Sequence, residues 1–193
     1  MKKVIGAINM TLDGFCDHTA ISPDDEIHQH YAELLSEAGS ILYGRITFQL
    51  MEFWKTLVEK PSGNKSLDEF ALIMDKVSKI VFSKSLNTIE PIAIGWESAR
   101  LTKRSLEEEV LELKRQADKD IFVGSRSLII QLMKLNLLDE LQLCIHPVIV
   151  GSGLPLFEKL HDRTILKLTK TKTFSSGAVI LYYEMTDENR IDF

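Results

Sequence analysis

Three places in this chain put a small residue and a cation directly after a short apolar run. They are Ile41-Leu42-Tyr43-Gly44-Arg45, Ile80-Val81-Phe82-Ser83-Lys84 and Ile121-Phe122-Val123-Gly124-Ser125-Arg126-Ser127. A strand that stops at Gly or Ser and opens into a helix leaves backbone N–H groups unpaired at the positive end of the helix dipole. Such a turn can hold an anion, and an adjacent Arg or Lys adds a full charge. One turn of this kind says little, because any short strand-to-helix connection resembles it. Three of them, on strands lying parallel in one sheet, would share the edge at which open α/β sheets take ligands. Arg45, Lys84 and Arg126 would then stand around a polyanion. Taken singly, each reads as a solvated turn residue.

The whole chain narrows the choice of polyanion. Its 193 residues, 45% apolar and 26% charged, suffice for one α/β domain spanning 1–193 and would be cramped as two. A net charge of -5 argues against a general nucleic-acid binder, which would carry a basic excess. A local cation cluster inside an acidic protein suits a small phosphorylated ligand better. Cys16 and Cys144 match no metal or redox spacing. His28 and His30 are two apart on an expected helix and point to different faces, so no metal site is expected. The basic start is followed by an apolar run that Asn9, Thr11 and Asp13 interrupt, too early for a secretion signal. No apolar segment approaches the roughly 20 residues that span a bilayer. The chain therefore reads as soluble and cytoplasmic, with no membrane partner.

The elements that must position these turns follow from periodicity. Residues 4–9 read as a central strand running into the Asp13-Gly14 turn. Ser22-Pro23 and the acids Asp24, Asp25 and Glu26 mark a helix start, with Ile27, Tyr31, Leu34 or Leu35, and Ala38 on one face. Strands at 41–43, 80–82 and 121–123 precede the three turns. A short apolar helix carries Phe48, Met51 and Trp54, and a second amphipathic helix carries Leu67, Phe70, Ala71 and Met74. Residues 91–94 are a short strand candidate, and 104–119 read as a charged helix with a solvated face. The run 141–150 is extended and ends in Gly151-Ser152-Gly153. Runs 165–174 and 178–185 alternate around a turn, giving an antiparallel hairpin and a mixed sheet. The tail 186–193 reads as loose.

Taken in order, these pieces resemble the dihydrofolate reductase-like superfamily, and within it the C-terminal reductase domain of the riboflavin-biosynthesis deaminase-reductase and its stand-alone relatives. The matching pieces are Thr11-Leu12-Asp13-Gly14, Leu42-Tyr43-Gly44-Arg45-Ile46-Thr47, Phe82-Ser83, Val123-Gly124-Ser125, Leu138-Asp139-Glu140-Leu141, and Pro147 to Gly153 with Leu156-Phe157. The resemblance implies a three-layer α/β/α fold with a mixed, mostly parallel sheet and an antiparallel C-terminal hairpin. It also implies NADPH along the marked strand ends. Gly44, Arg45 and Thr47 would hold cofactor phosphates, and Ser83 with Lys84 the adenosine 2′-phosphate. Gly124, Ser125, Arg126 and Ser127 would take the pyrophosphate. Residues Leu12 to Gly14 would cover the nicotinamide, as a loop able to exclude water. Asp13 reads either as half of a tight turn or as a polar neighbour of the nicotinamide.

Two departures from the family pattern stand out. The pyrophosphate turn often has two glycines, whereas here Gly124 is followed by Ser125, which fits if its φ is negative. Dihydrofolate reductases place a carboxylate about 17 residues before the Gly-Arg pair; that count falls on His28, with Asp24, Asp25 and Glu26 a turn earlier. His28 reads as a proton donor in the cleft or as an exposed helix histidine. The expected function is an NADPH-dependent reductase passing hydride to a small heterocyclic or sugar-imine substrate, the riboflavin-pathway pyrimidine being the first candidate. The alternatives are a non-catalytic nucleotide-binding protein and a weak dihydrofolate reductase. The resemblance further implies a homodimer, for which the apolar run 141–150 offers an edge that could pair with or pack on another subunit.

Overall fold

The computed structural model describes residues 2–84, 96–116, 119–158, 160 and 163–186. Its strands are β1 (Val4–Thr11), β2 (Ser40–Gly44), β3 (Lys79–Phe82), β4 (Ala99–Leu101), β5 (Ile121–Val123), β6 (Glu140–His146), β7 (Leu166–Thr173) and β8 (Val179–Met185). They form one sheet in the order β4-β3-β2-β5-β1-β6-β8-β7. The first six run parallel, while β8 pairs antiparallel with both β6 and β7. The helices are α1 (Asp25–Ser36), α2 (Arg45–Glu59), α3 (Lys65–Lys76), α4 (Leu106–Arg115) and α5 (Arg126–Lys134). This is the expected three-layer arrangement.

Alternation along the strands separates two apolar layers. Ile5, Ile41, Tyr43, Val81 and Phe122 face α1, α2 and α3, meeting Ala32, Leu35, Phe48, Phe70 and Met74. Val4, Leu42, Ile80, Ile121 and Val123 face the other way, onto Leu106 and Val110 of α4 and Leu128, Ile129 and Leu132 of α5. Three helix starts are closed by their own side chains. Asp24 accepts from Ile27 N, Asn64 from Ser66 N and Leu67 N, and Ser105 exchanges bonds with Glu108 in a capping box. The starts of α2 and α5, which follow Gly44 and Ser125, have no side-chain cap.

Several expectations need correction. The helix after Arg45 is not short; it runs fifteen residues. Strand β4 was not legible as a strand, while the candidate at 91–94 lies outside the described residues, as do Ala117 and the tail from 187. The run 141–150 is not a free edge. Its ordered part, β6, is paired on one side with β1 and on the other with β8. Among the described residues the edges of the sheet are β4 and β7, so β6 cannot pair edge-on with a second subunit, while Ile149 and Val150 beyond it remain exposed. On the charged helix one acid leaves the solvated face: Glu109 is buried, bound to Arg100 Nη2 and Thr102 Oγ1. Burial works to raise the Glu109 carboxyl, but those two partners outweigh it and hold it below the usual carboxylate range.

His30 of α1 is packed against Tyr31, Phe174 and Tyr182. Lys172 Nζ donates to its Nδ1 at 3.2 Å. Burial is the main cause that draws this imidazole down to about 4; Lys172 and Lys170 act in the same direction and Glu33 opposes them. The native value lies below the unfolded one, so as pH falls the unfolded chain takes up the proton first. Stability from this group is complete above about pH 6.5 and drains away towards about pH 4. Between about pH 7.5 and about pH 5 the loss is roughly 2 kcal/mol. Urea unfolding of His30→Phe at those two pH values is expected to show that part of the acid-side loss removed.

Candidate active site

Strands β3, β2 and β5 are consecutive in the sheet and parallel, so the three marked turns emerge side by side. At that edge lies a cavity of about 510 Å³. Gly44, Arg45, Ile46 and Thr47 line it from the β2–α2 turn, Ser83 and Lys84 follow β3, and Ser127 comes from the start of α5. A fourth contribution was not marked in the sequence. Thr102, Lys103, Arg104 and Ser105, from the β4–α4 turn, close the far side. Arg104 had been read as the start of a solvated helix, yet it stands before the cap of α4. The signal was present, since Leu101-Thr102-Lys103 repeats the pattern of an apolar run ending in a small residue and a cation. It was obscured because β4 is three residues long.

The cavity wall carries four cations, Arg45, Lys84, Lys103 and Arg104, and no carboxylate among its lining residues. Two helix starts without side-chain caps, those of α2 and α5, open beside it. The β4–α4 turn is held in place from below. Glu109 fixes Thr102, and Thr102 Oγ1 accepts from Arg104 N at 3.1 Å. These residues fit a ligand with several phosphates: small residues admit the backbone closely, N–H groups point outward, and the cations surround them. The positions expected to hold NADPH phosphates on β2–α2 and after β3 are thus brought together.

The β5–α5 turn is divided: Ser127 lines the cavity, whereas Gly124, Ser125 and Arg126 make contacts within the framework. Ser125 is buried with φ -110, so serine needs no left-handed backbone there, as anticipated. Its Oγ accepts from Gly44 N at 2.8 Å and stitches the two uncapped turns together. Gly124 is required by a neighbour: a Cβ there would lie 2.9 Å from Tyr43 Cε1. Arg126 does not join the cavity. Its Nε donates to Pro155 O and its Nη2 pairs with Glu158 at 3.1 Å, which turns the guanidinium towards the loop before β7.

Leu12, Asp13 and Gly14 form a ledge beyond β1. Leu12 N donates to Val148 O at 2.9 Å, and Leu156 N donates to Gly14 O at 3.1 Å. The Asp13 carboxylate accepts from Thr11 Oγ1 at 2.6 Å, Gly151 N at 2.7 Å and Val150 N at 3.1 Å. The Thr11 hydroxyl first, then the backbone donors, hold its carboxyl below the usual range despite some desolvation. Asp13 therefore clamps the ledge to the loop after β6, and Gly14, at φ +93, supplies the left-handed turn. Leu12 remains exposed on top.

Beneath the ledge, β1 and β5 part company. They pair only from Val4 to Gly6, whereas β1 pairs with β6 as far as Thr11. Above Gly6 this interior strand is unpaired on the β5 side, and Ala7, Ile8 and Asn9 are only half-buried. The helices leaving β1 and β5 also lie on opposite faces of the sheet, which is the switch-point geometry that opens a ligand crevice. On its α1 side the crevice holds a polar cluster that sequence reading missed. Asn9 Oδ1 meets His146 Nε2 at 3.0 Å and accepts from Tyr31 OH at 3.3 Å, and Cys144 Sγ lies 3.6 Å from His146 Nε2. Burial lowers His146, raises Tyr31 far above its usual value and pushes the Cys144 thiol up to about 12. His28 stands apart from this cluster. Its ring packs edge-on against Trp54 and Phe70, its Nδ1 has no partner among the described residues, and burial lowers its pKa.

Comparison with known proteins fits this geometry. The RibD C-terminal domain family matches residues 2–180. The chain belongs to that family. Uncharacterized protein YyaP of Bacillus subtilis is 34% identical over 190 residues, covering 94% of each chain. Among solved structures, a pyrimidine reductase-like protein from Corynebacterium diphtheriae superimposes with a TM-score of 0.63 at 17% identity, covering 96% of this chain and 92% of the other. A diaminohydroxyphosphoribosylaminopyrimidine deaminase/5-amino-6-(5-phosphoribosylamino)uracil reductase from Thermotoga maritima gives 0.67 at 16% identity, with 96% of this chain matched to 57% of that one. The fold is the dihydrofolate reductase-like one, and membership of the family supports a reductase role. No helix among the described residues is long and apolar enough to cross a membrane.

The Gly124–Tyr43 contact gives a direct check on the turn. Tyr43 is buried, so its ring has little room to yield. Gly124→Ala is expected to cost about 1–3 kcal/mol through overpacking, read as a lower urea midpoint with an unchanged slope.

Proposed function

We propose that this protein is an NADPH-dependent reductase acting on a small heterocyclic or sugar-imine substrate, with 5-amino-6-(5-phosphoribosylamino)uracil as the first candidate. The observation that carries the reading is the cation-lined cavity at the β2, β3 and β4 turns, which has four basic side chains and no carboxylate in a chain of net charge -5. Family membership supports the reductase part. The nicotinamide supplies the hydride when bound; the protein's work is to bind, orient and exclude water. Arg45 and the N–H groups at the start of α2 would hold phosphate. Lys84, Lys103 and Arg104 would surround the 2′-phosphate that distinguishes NADPH from NADH. The Asp13 clamp keeps the Leu12–Gly14 ledge over the mouth of the β1–β5 crevice, where Leu12 offers an apolar surface to a flat ring. Protonation of the reduced substrate would come from water, because the His28 ring is packed against Trp54 and Phe70, apart from the crevice cluster. A homodimer remains part of this reading on resemblance, through a surface other than β6.

Titration with NADPH and NADH, followed by tryptophan quenching, tests the reading. Wild-type protein is expected to favour NADPH. Arg45→Ala should weaken NADPH by about tenfold to a hundredfold, the range set by losing one charge-assisted hydrogen-bonded pair. Lys103→Ala with Arg104→Ala should cost NADPH more than NADH and narrow the preference. If wild-type protein binds neither nucleotide, the reductase reading is wrong.

A further inference from the structure

We propose that the Asn9 side-chain amide is the substrate-recognising donor of the β1–β5 crevice, selecting a substrate that presents a carbonyl oxygen or ring nitrogen beside the bond to be reduced. The inference rests on the reductase reading above and goes on to specify what the crevice recognises.

The geometry singles out one half of this amide. A carbonyl oxygen only accepts, so His146 Nε2, 3.0 Å from Asn9 Oδ1, carries the proton. Tyr31 OH donates to the same oxygen at 3.3 Å. Two donors occupy both lone pairs of Oδ1, and together they fix which way the amide faces. The Nδ2 group has no hydrogen-bond partner among the described residues, and it is not one of the buried unpaired nitrogens as those of His28 and His30 are. It is therefore open to solvent, on the stretch where β1 is unpaired on its β5 side and Ala7, Ile8 and Asn9 are half-buried. An asparagine serving only to tie β1, β6 and α1 together would not need an open nitrogen in the middle of an interior strand. Ala7, two residues back on the same face, adds a small apolar floor on which a planar ring can lie. With its oxygen occupied, Asn9 can only donate, so the group it meets must accept. His146 and Tyr31 are positioning residues, acting through the orientation they impose on Asn9.

The test uses the full-length protein saturated with NADP+ and titrated with 5,6-diaminouracil, whose ring carbonyls are the acceptors. The side-chain amide signals of Asn9 are followed by 15N NMR and the dissociation constant is read from the same titration. Those signals are expected to shift as the probe saturates. Asn9→Asp keeps an oxygen for His146 and Tyr31 but replaces the open donor with an acceptor. It is expected to bind NADP+ within about twofold of wild type and the probe about tenfold or more weakly. Tyr31→Phe should weaken the probe about threefold in the wild-type background and have no further effect in Asn9→Asp, the non-additivity of a residue acting through its neighbour. Equal probe affinity in wild type and Asn9→Asp, or no probe binding by NADP+-loaded wild type, overturns the proposal. Failure of wild type to bind NADP+ is read separately and overturns the reductase reading together with this inference.

Discussion

Strand β5 stops after three residues, and the geometry of the candidate site depends on where it stops. It sits at the centre of the sheet, between β2 and β1, and pairs with β1 only as far as Gly6. Its end is set by Gly124, which passes so close under Tyr43 that no side chain fits, and by Ser125, whose hydroxyl is captured by Gly44 N. A longer β5 would continue the ladder along β1 and seal the crevice beside Ala7, Ile8 and Asn9. A β5 displaced from β2 would separate the two uncapped helix starts that flank the cation-lined cavity. Both halves of the site thus hang on one tight passage of backbone beneath a buried tyrosine ring.

The charges are arranged around that framework in two different ways. At the cation-lined cavity, Arg45, Lys84, Lys103 and Arg104 gather cations from three separate turns in a protein that is acidic overall. A cluster of one sign in a concave, partly shielded wall focuses potential on an incoming anion, while the net negative charge elsewhere discourages nonspecific polyanions. Part of the cluster is ordered through the buried Glu109: the exposed Arg100 and the buried Thr102 hold its carboxylate, and Thr102 holds the backbone of Arg104. At the ledge, by contrast, Asp13 spends its charge on backbone donors from the loop after β6. That carboxylate shapes the mouth of the crevice.

Much of the cation-lined edge was legible in the sequence because its elements are local. Gly44-Arg45, Ser83-Lys84 and Gly124-Ser125 each announce themselves within a few residues, and parallel pairing of their strands brought the first two together as expected. The same local pattern misplaced Arg126, because what decides its direction is Glu158 and Pro155, some thirty residues further on. It also hid Lys103 and Arg104, whose strand is too short to show periodicity. The crevice was illegible for a related reason: Asn9 and His146 are 137 residues apart and meet only because β6 lies in register beside β1. Register likewise decides that β6 is an interior strand, although its apolar run reads like an edge looking for a partner. Spacing from the Gly-Arg pair pointed to His28, but the α1 residue that hydrogen-bonds to β1 is Tyr31, three residues on.

The polar cluster differs from the cation-lined cavity in one further respect, which bears on what it can do. Burial lowers His146 and raises both Tyr31 and Cys144, so each is driven towards its uncharged form at neutral pH. Groups in that condition keep their hydrogen bonds fixed while the surrounding charge changes; they are poor sources of a proton and good templates for orientation. Asp24 is the carboxylate whose field reaches His146 and Cys144, and its own oxygens are committed to capping α1 and to Ser176. A charged acid at this position would attract water into the crevice and compete with the apolar contacts of Ala7 and Ile8. An asparagine locked by two neutral donors does neither. In the proposed reading it would recognise a ligand by shape and by one hydrogen-bonding edge, leaving phosphate groups to the cation-lined cavity at the β2, β3 and β4 turns.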